Sequence, residues 1–368
     1  MRLVLASRSL PEHGGGGMEE IAFVLASELA KNHDVTMLTT PFPQPAGPTG
    51  KYPFDLHVLE GAPGSYTHEW MMAVDAYCQH DRPDAVLGVS AAAHRAARNS
   101  DRRYPVVMQA HGTSLLEARR RARAGGLRGF VGAARAMRGL VSDLAIYPRY
   151  DCVVAISPTV SRSIESLPPG LRPPRIHEIP NGIQPAVDDS RTEENGPIRT
   201  ILFVGRLDRQ KGVHLVIEAL TSTDAKLLVV GDGVEATRLE KLASTVGVRD
   251  RVEFFGRVNN SEIDGFYRRA SVVVAPSLGN EGLPTVALEA LRAHRPFVTT
   301  TAGAAGFAEL PYGVIVADGV PSALAAAIRA ADRLDYDRIS LPSSNTVSAS
   351  AAAYATLLEE LVNERSAS

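Results

Sequence analysis

Residues 276–290 read Pro-Ser-Leu-Gly-Asn-Glu-Gly-Leu-Pro-Thr-Val-Ala-Leu-Glu-Ala, and they join a strand to a helix. The apolar run Ser271–Ala275 feeds this loop, and helix-forming residues follow Pro284 to His294. Proline suits a first helical position because its missing N–H would be unpaired there. The open N–H groups of that first turn and the helix dipole favour an anion such as phosphate. Glu281 lies just before this seat and Glu289 about one turn inside it. Two carboxylates bracketing an anion site repel a phosphate unless they face neutral, hydroxyl-rich parts of the same ligand. A sugar and a ribose joined by a diphosphate have that layout. The alternative is a charged helix face, with Glu289 paired to Arg292 at i+3 and Glu281 simply favouring a helix start.

The same strand–loop–helix unit recurs in both directions. Leu3–Ala6, Asp34–Leu38, Ala85–Val89, Val106–Gln109 and Cys152–Ile156 read as strands, with helices over Glu19–Lys31 and Ala91–Asn99. The pattern restarts at Ile201–Val204, then Lys226–Val230, Val252–Phe255, Val272–Ala275 and Phe297–Thr300. Helices over Val213–Leu220, Thr237–Thr245 and Ser261–Ala270 intervene. Alternation of this kind predicts parallel sheets covered on both faces. Polar, aperiodic Gln184–Pro197 reads as a linker. The expected fold is α/β: two Rossmann-like, doubly wound domains, 1–183 and 184–346, facing a central cleft. A last helix over 347–362 returns to the first domain, with Leu357, Leu358 and Leu361 on one face. Ligands in such sheets bind outside the carboxyl ends of the strands.

Composition narrows the function. A chain of 368 residues, 45% hydrophobic, supports one large or two ordinary cores. A formal net charge of −2 argues against a dedicated nucleic-acid binder. Cys78 and Cys152 have neither disulfide nor zinc-ligand spacing. Met1–Ser7 reads as a first strand rather than a leader, and no stretch nears the roughly 18 apolar residues of a membrane span. A cytoplasmic location is expected, with peripheral contact at the inner membrane face as its variant.

Three further loops after strands hold capable residues. Gly14–Gly17 allows close backbone approach to a ligand, or is a flexible turn. It is not a dinucleotide fingerprint, because the Gly-x-Gly-x-x-Gly spacing fails at Glu19. His111 ends a strand and precedes Gly112, a place suited to ligand contact as well as to a structural histidine. Arg206 and Lys211, in Gly205-Arg206-Leu207-Asp208-Arg209-Gln210-Lys211-Gly212, can converge on one anion, or belong to a solvated charged turn.

Taken in order, His111-Gly112, Pro180-Asn181-Gly182, Gly205-Arg206…Lys211-Gly212 and Glu281…Glu289 resemble the retaining glycosyltransferases of family 4, over nearly the whole chain. The resemblance implies two Rossmann-like domains of the B-type fold and transfer of a hexose-type sugar. The donor would be a UDP- or GDP-sugar and the acceptor a hydroxyl group. Arg206 and Lys211 would hold the diphosphate and stabilise the leaving group. Gly282, Leu283, Thr285 and Val286 would add the phosphate seat, Glu289 would bind the ribose and Glu281 the transferred sugar. His111 would reach that sugar from the other domain, with Gly16 and Gly17 near phosphates and acceptor and Arg257 and Val258 beside the nucleobase. No metal or other cofactor is implied, and the chain offers no Asp-x-Asp site. Gln184 and Pro284 depart from the family pattern, where aspartate and glycine are common. A hydrolysing nucleotide-sugar epimerase and a non-catalytic nucleotide-sugar binder are the rival readings.

Leu115–Arg149 is compositionally distinct. Arg119, Arg120, Arg121, Arg123, Arg128, Arg135, Arg138 and Arg149 face only Glu117 and Asp143. Either this is a solvated helical face, or the stretch Arg119–Arg138 meets anionic headgroups or a phosphate-bearing acceptor. Nucleic acid is disfavoured by the scarcity of stacking aromatics.

Overall fold

The computed structural model describes residues 1–14, 16–43, 51–113, 144–185, 199–279 and 282–367. The chain forms two compact units, Met1–Gln184 with Ser344–Ser368, and Pro185–Ser343. Each is an α/β layer structure, and the paired Rossmann-like architecture expected from the strand–helix alternation is what forms.

In the first unit the strands are β1 (Arg2–Ala6), β2 (Asp34–Thr39), β3 (Asp55–Val58), β4 (Ala85–Val89), β5 (Val106–Ala110), β6 (Cys152–Ala155) and β7 (Ile176–Glu178). They make one seven-stranded sheet in the order β3-β2-β1-β4-β5-β6-β7, with every pair parallel. In the second unit β8 (Thr200–Val204), β9 (Lys226–Val230), β10 (Val252–Gly256), β11 (Val272–Ala275), β12 (Phe297–Thr300) and β13 (Val314–Ala317) are ordered β10-β9-β8-β11-β12-β13. These six are parallel too. The central strands β4, β5, β6 and β11 are buried at every position, as a sheet covered by helices on both faces requires.

Strand order reverses between β1 and β4 in the first sheet and between β8 and β11 in the second. Splayed loops at such a switch point leave a crevice at the carboxyl edge. The loops after β1, β8 and β11 are the ones that hold Gly16–Gly17, Arg206–Lys211 and the quoted stretch.

Several boundaries differ from the sequence reading. A short 3-10 turn, Pro11–His13, separates β1 from the helix Gly17–Leu29. The helix expected over Ala91–Asn99 shrinks to His94–Arg98, because Ser90 takes a left-handed φ of 55° and delays its start. β3 and β7 lack a buried apolar run, with mostly exposed patterns, so periodicity gives no sign of them. The last helix, Val347–Ala367, buries Ala351, Tyr354, Leu357, Leu358 and Leu361 in the first unit's core beside Leu25 and Leu29. The chain's two passages between units are tied together here. Ile183 N donates to Asn345 O at 2.9 Å and Val347 N to Ile183 O at 3.0 Å. Gly182 is required there, since a Cβ would stand 2.4 Å from Thr346 O.

Candidate functional site

The second unit supplies the densest set of expected ligand contacts. After β8, Gly205 turns the chain with φ 151°, and Leu207 anchors the loop in the core at 1% exposure. Asp208 organises the rest of the loop. Its Oδ1 accepts from the backbone N–H groups of Gln210 and Lys211 at 3.0 and 3.1 Å, capping the 3-10 turn Arg209–Lys211. Its Oδ2 lies 3.2 Å from the Arg206 guanidinium, whose side chain is 73% exposed. The charged turn is therefore built around one carboxylate that steers Arg206 while leaving most of its fork open to solvent.

Three neighbouring loops are stitched to this turn through glycine. A Cβ on Gly231, after β9, would stand 1.9 Å from Gly205 O. Gly231 N donates to the O of Gly256, the last residue of β10, at 2.7 Å. A Cβ on Gly212 would stand 2.2 Å from Pro276 O, and Leu278 N donates to Gln210 O at 2.7 Å. The last pair of contacts crosses the switch point and brings the Arg206–Lys211 loop against the loop after β11. On the far side, a Cβ on Gly306 would stand 1.6 Å from Gly282 O, so the turn holding Gly282 and the buried Leu283 is backed by bare backbone.

The helix after this loop runs Thr285–Arg292, with Pro284 extended at the N-cap (φ −71°, ψ 119°). Proline therefore stands one position earlier than the sequence reading placed it, and Thr285 is the first helical residue. A proline cap has no side-chain acceptor, so the N-cap residue itself offers the first amides no side-chain bond; Thr285 and Val286 are both partly exposed. Amides in that state carry the partial positive charge of the helix start.

Glu289 lies one turn in. Its Oε2 accepts a short hydrogen bond from the hydroxyl of Tyr267, a residue of the helix Asn260–Arg269 that is 1% exposed. Burial, then the charge and hydrogen bond of Glu289, push the Tyr267 phenol well above its ordinary pKa, so it stays a donor. The ion pair considered for Glu289 and Arg292 is not what forms: Arg292 bonds to Asp264. Nothing in the sequence singles out Tyr267, which is 22 positions from Glu289. Arg257 is exposed after β10 and Val258 is packed against the core on that face. Glu281 lies outside the described residues, as does the whole Arg119–Arg138 stretch.

In the first unit, Gly16 caps the helix that Gly17 begins. Glu19, the residue that breaks the dinucleotide spacing, has a local task. Its Oε2 accepts from Gly16 N at 2.8 Å and its Oε1 from the Ser9 hydroxyl at 3.0 Å. His111, just past β5, donates through Nε2 to Gln109 Oε1 at 3.0 Å, which leaves Nδ1 as the ring's acceptor. Gln109 is itself 1% exposed. Burial draws the His111 pKa down to about 4, so the ring is neutral at physiological pH. Residues i and i+2 share a strand face, so alternation in the strand is the available signal for Gln109. Among the described residues no group of three His, Cys, Asp or Glu is placed to hold a metal, and no helix is long and apolar enough to cross a membrane.

Two family models match the chain in succession: Glycosyltransferase Family 4 over residues 15–187 and Glycosyl transferases group 1 over residues 187–335. An uncharacterized glycosyltransferase of Methanocaldococcus jannaschii is 41% identical over 109 residues, 28% of this chain and 28% of its own length. Glycogen synthase of Mycobacterium tuberculosis is 34% identical over 189 residues, 49% of this chain and 45% of its own. The chain thus spans less than half the length of these curated relatives. Among solved structures, sucrose-phosphate synthase from Thermosynechococcus elongatus superposes with a TM-score of 0.79 at 20% identity, covering 99% of both chains. An Anabaena protein in complex with UDP and glucose gives 0.68 at 18% identity, covering 100% of both. At those identities the superpositions speak to the fold.

Proposed function

The chain belongs to the family-4 glycosyltransferases of B-type fold, and we propose that it moves a hexose-type sugar from a nucleotide-diphosphate sugar to a hydroxyl acceptor, with retention and without a metal. The observation that carries this reading is the join across the switch point of the second sheet. Gly212 against Pro276, and Leu278 N on Gln210 O, set the cationic Arg206–Lys211 loop beside a helix start whose proline N-cap brings no side-chain acceptor to the first amides. The diphosphate belongs in that concentration of positive charge, with Gly282, Leu283, Thr285 and Val286 lining its seat. Glu289, with Oε2 held by Tyr267, takes the ribose hydroxyls. Arg257 and Val258 flank the base. The anomeric C–O bond to the diphosphate breaks as the acceptor oxygen bonds to the same face. A phosphate oxygen takes the acceptor's proton, and Arg206 and Lys211 stabilise the charge left on the diphosphate. Glu281 and the neutral His111 are assigned to the transferred sugar, and Gly16–Gly17 to the region of phosphates and acceptor.

UDP and GDP are the expected carriers, and UDP in the Anabaena structure makes it the first to test. A thermal-shift panel of UDP, GDP, ADP and dTDP ranks them, since a ligand at about 100 times its Kd stabilises the fold by roughly 2.7 kcal/mol. With the best donor, product formation persists in EDTA and the product's anomeric proton shows the donor's configuration. Loss of activity in EDTA with rescue by magnesium contradicts the metal-free scheme. Release of free sugar with no transfer to any acceptor favours the hydrolysing reading.

A further inference from the structure

A second cationic concavity lies in the first unit, at the opposite edge of its sheet. A cavity of about 830 Å³ is lined by Arg82, Arg95, Arg98, Arg102, Arg103 and Arg149 against two carboxylates, Asp75 and Asp101. Its walls are the turn entering β4, the end of the helix His94–Arg98, the loop entering β5 and the turn Tyr147–Arg149 ahead of β6. All are amino-terminal to their strands, whereas His111 and Gly16 lie past carboxyl ends. A five-residue strand such as β5 separates the two edges by roughly 16 Å.

The arginines divide into two roles. Arg102 is structural: its guanidinium bonds Asp151 Oδ2 at 2.7 Å and the carbonyls of Tyr104 and Arg149 at 3.0 Å each. Asp151 is consumed in turn by Arg365 at 2.8 Å and by Val106 N at 2.7 Å. Of the two lining carboxylates, Asp75 is 7% exposed and bonded by Asn99 Nδ2 at 3.2 Å, and Asp101 accepts from Ser100 at 3.3 Å. The remaining five, Arg82, Arg95, Arg98, Arg103 and Arg149, are exposed, and none of their side chains has a hydrogen bond or ion pair among the described residues. Asp75 and Asp101 keep their charge, since their hydrogen-bond donors are neutral, but six lining arginines against these two carboxylates leave a net charge of +4 around one concavity and a positive potential. A solvated helix face disperses its charges. Here they come from four successive segments onto one cavity with a fixed floor.

We propose that this cavity is a second, non-catalytic anion site that takes a ligand bearing clustered phosphate groups. Guanidinium forks match phosphate oxygens two at a time, and the volume lies within the range of small-molecule sites. The lining offers little apolar surface beyond Pro83 and Tyr104, so charge rather than hydrophobic contact selects the ligand. The site does not depend on the donor reading, since it shares no residue with it.

The probe is inorganic tripolyphosphate, titrated by calorimetry into the full chain and into two double variants. Arg95→Glu/Arg98→Glu alters the cavity at exposed positions, and Arg206→Ala/Lys211→Ala removes the donor-side cations. One saturable site is expected to survive the second pair and to weaken about tenfold or more with the first, with affinity falling as salt rises. Arg103→Glu, on a different segment, weakens it in the same direction. Cosedimentation with phosphatidylglycerol vesicles separates the sources. Retention lost in Arg95→Glu/Arg98→Glu assigns the phosphates to lipid headgroups, and no retention assigns them to a soluble molecule. Equal affinity in wild type and Arg95→Glu/Arg98→Glu, or no saturable binding, overturns the proposal.

Discussion

Glu289 and its partner illustrate what a single side chain needs in order to act as a ligand contact. A carboxylate on an open helix face samples several rotamers, but the buried Tyr267 hydroxyl fixes Oε2. Tyr267→Phe is expected to weaken UDP binding about tenfold, the worth of one charge-assisted hydrogen bond, while kcat at saturating donor changes little; calorimetry and steady-state kinetics check both. His111 yields a pH effect. Its pKa in the fold, about 4 against an ordinary 6.5, means the unfolded chain binds a proton that the native chain refuses. The associated stability is present above pH 6.5 and drains away as the pH falls toward 4. His111→Gln is expected to flatten that loss, read as urea midpoints at pH 7.5 and 5. Position in the sequence marks both residues as candidates, one at the end of a strand and one in the first turns of a helix. Their partners are harder to see. Tyr267 reaches Glu289 only because two helices pack on one face of the sheet, and no local pattern encodes that contact.

At the scale of elements, the carboxyl edge of the second sheet is held by glycines whose missing side chains admit a neighbour's carbonyl. Gly231→Ala forces a Cβ into Gly205 O and imposes φ 132° on a residue with a side chain. It is expected to cost about 2 kcal/mol or more, lowering Tm and weakening nucleotide binding together. The buried strands are legible as apolar runs between turn residues, and so is the alternation with helices. β3, reading Asp-Leu-His-Val with an exposed pattern, is not, because a strand held by one neighbour at the sheet's margin needs no continuous apolar run. The Pro11–His13 turn is hidden for a related reason. His13 Nδ1 accepts from Leu10 N at 3.1 Å and its Nε2 contacts Thr40 O at 3.2 Å, and the second of these depends on β2 lying beside β1.

Across the whole molecule, the chain leaves its first unit and returns to it, and the returning helix closes that unit's core. Tyr354, Leu357, Leu358 and Leu361 are each at most 5% exposed, and each buried side chain of this size contributes about 1.5–3 kcal/mol. Their sum matches the net stability of a typical domain, so a chain ending at Asn345 is expected to lose cooperative unfolding of the first unit, seen by calorimetric scanning. The second unit has its own core and bears the residues assigned to the donor. Everything proposed for the donor depends on Arg206 and Lys211, joined across the switch point to the helix that begins at Thr285, holding a nucleotide diphosphate. Calorimetric titration of UDP and GDP into wild type and Arg206→Ala/Lys211→Ala decides it. A saturable site for one of the two nucleotides is expected in wild type, with a loss of about 100-fold in affinity in the double variant. Unchanged affinity in that variant refutes the assignment.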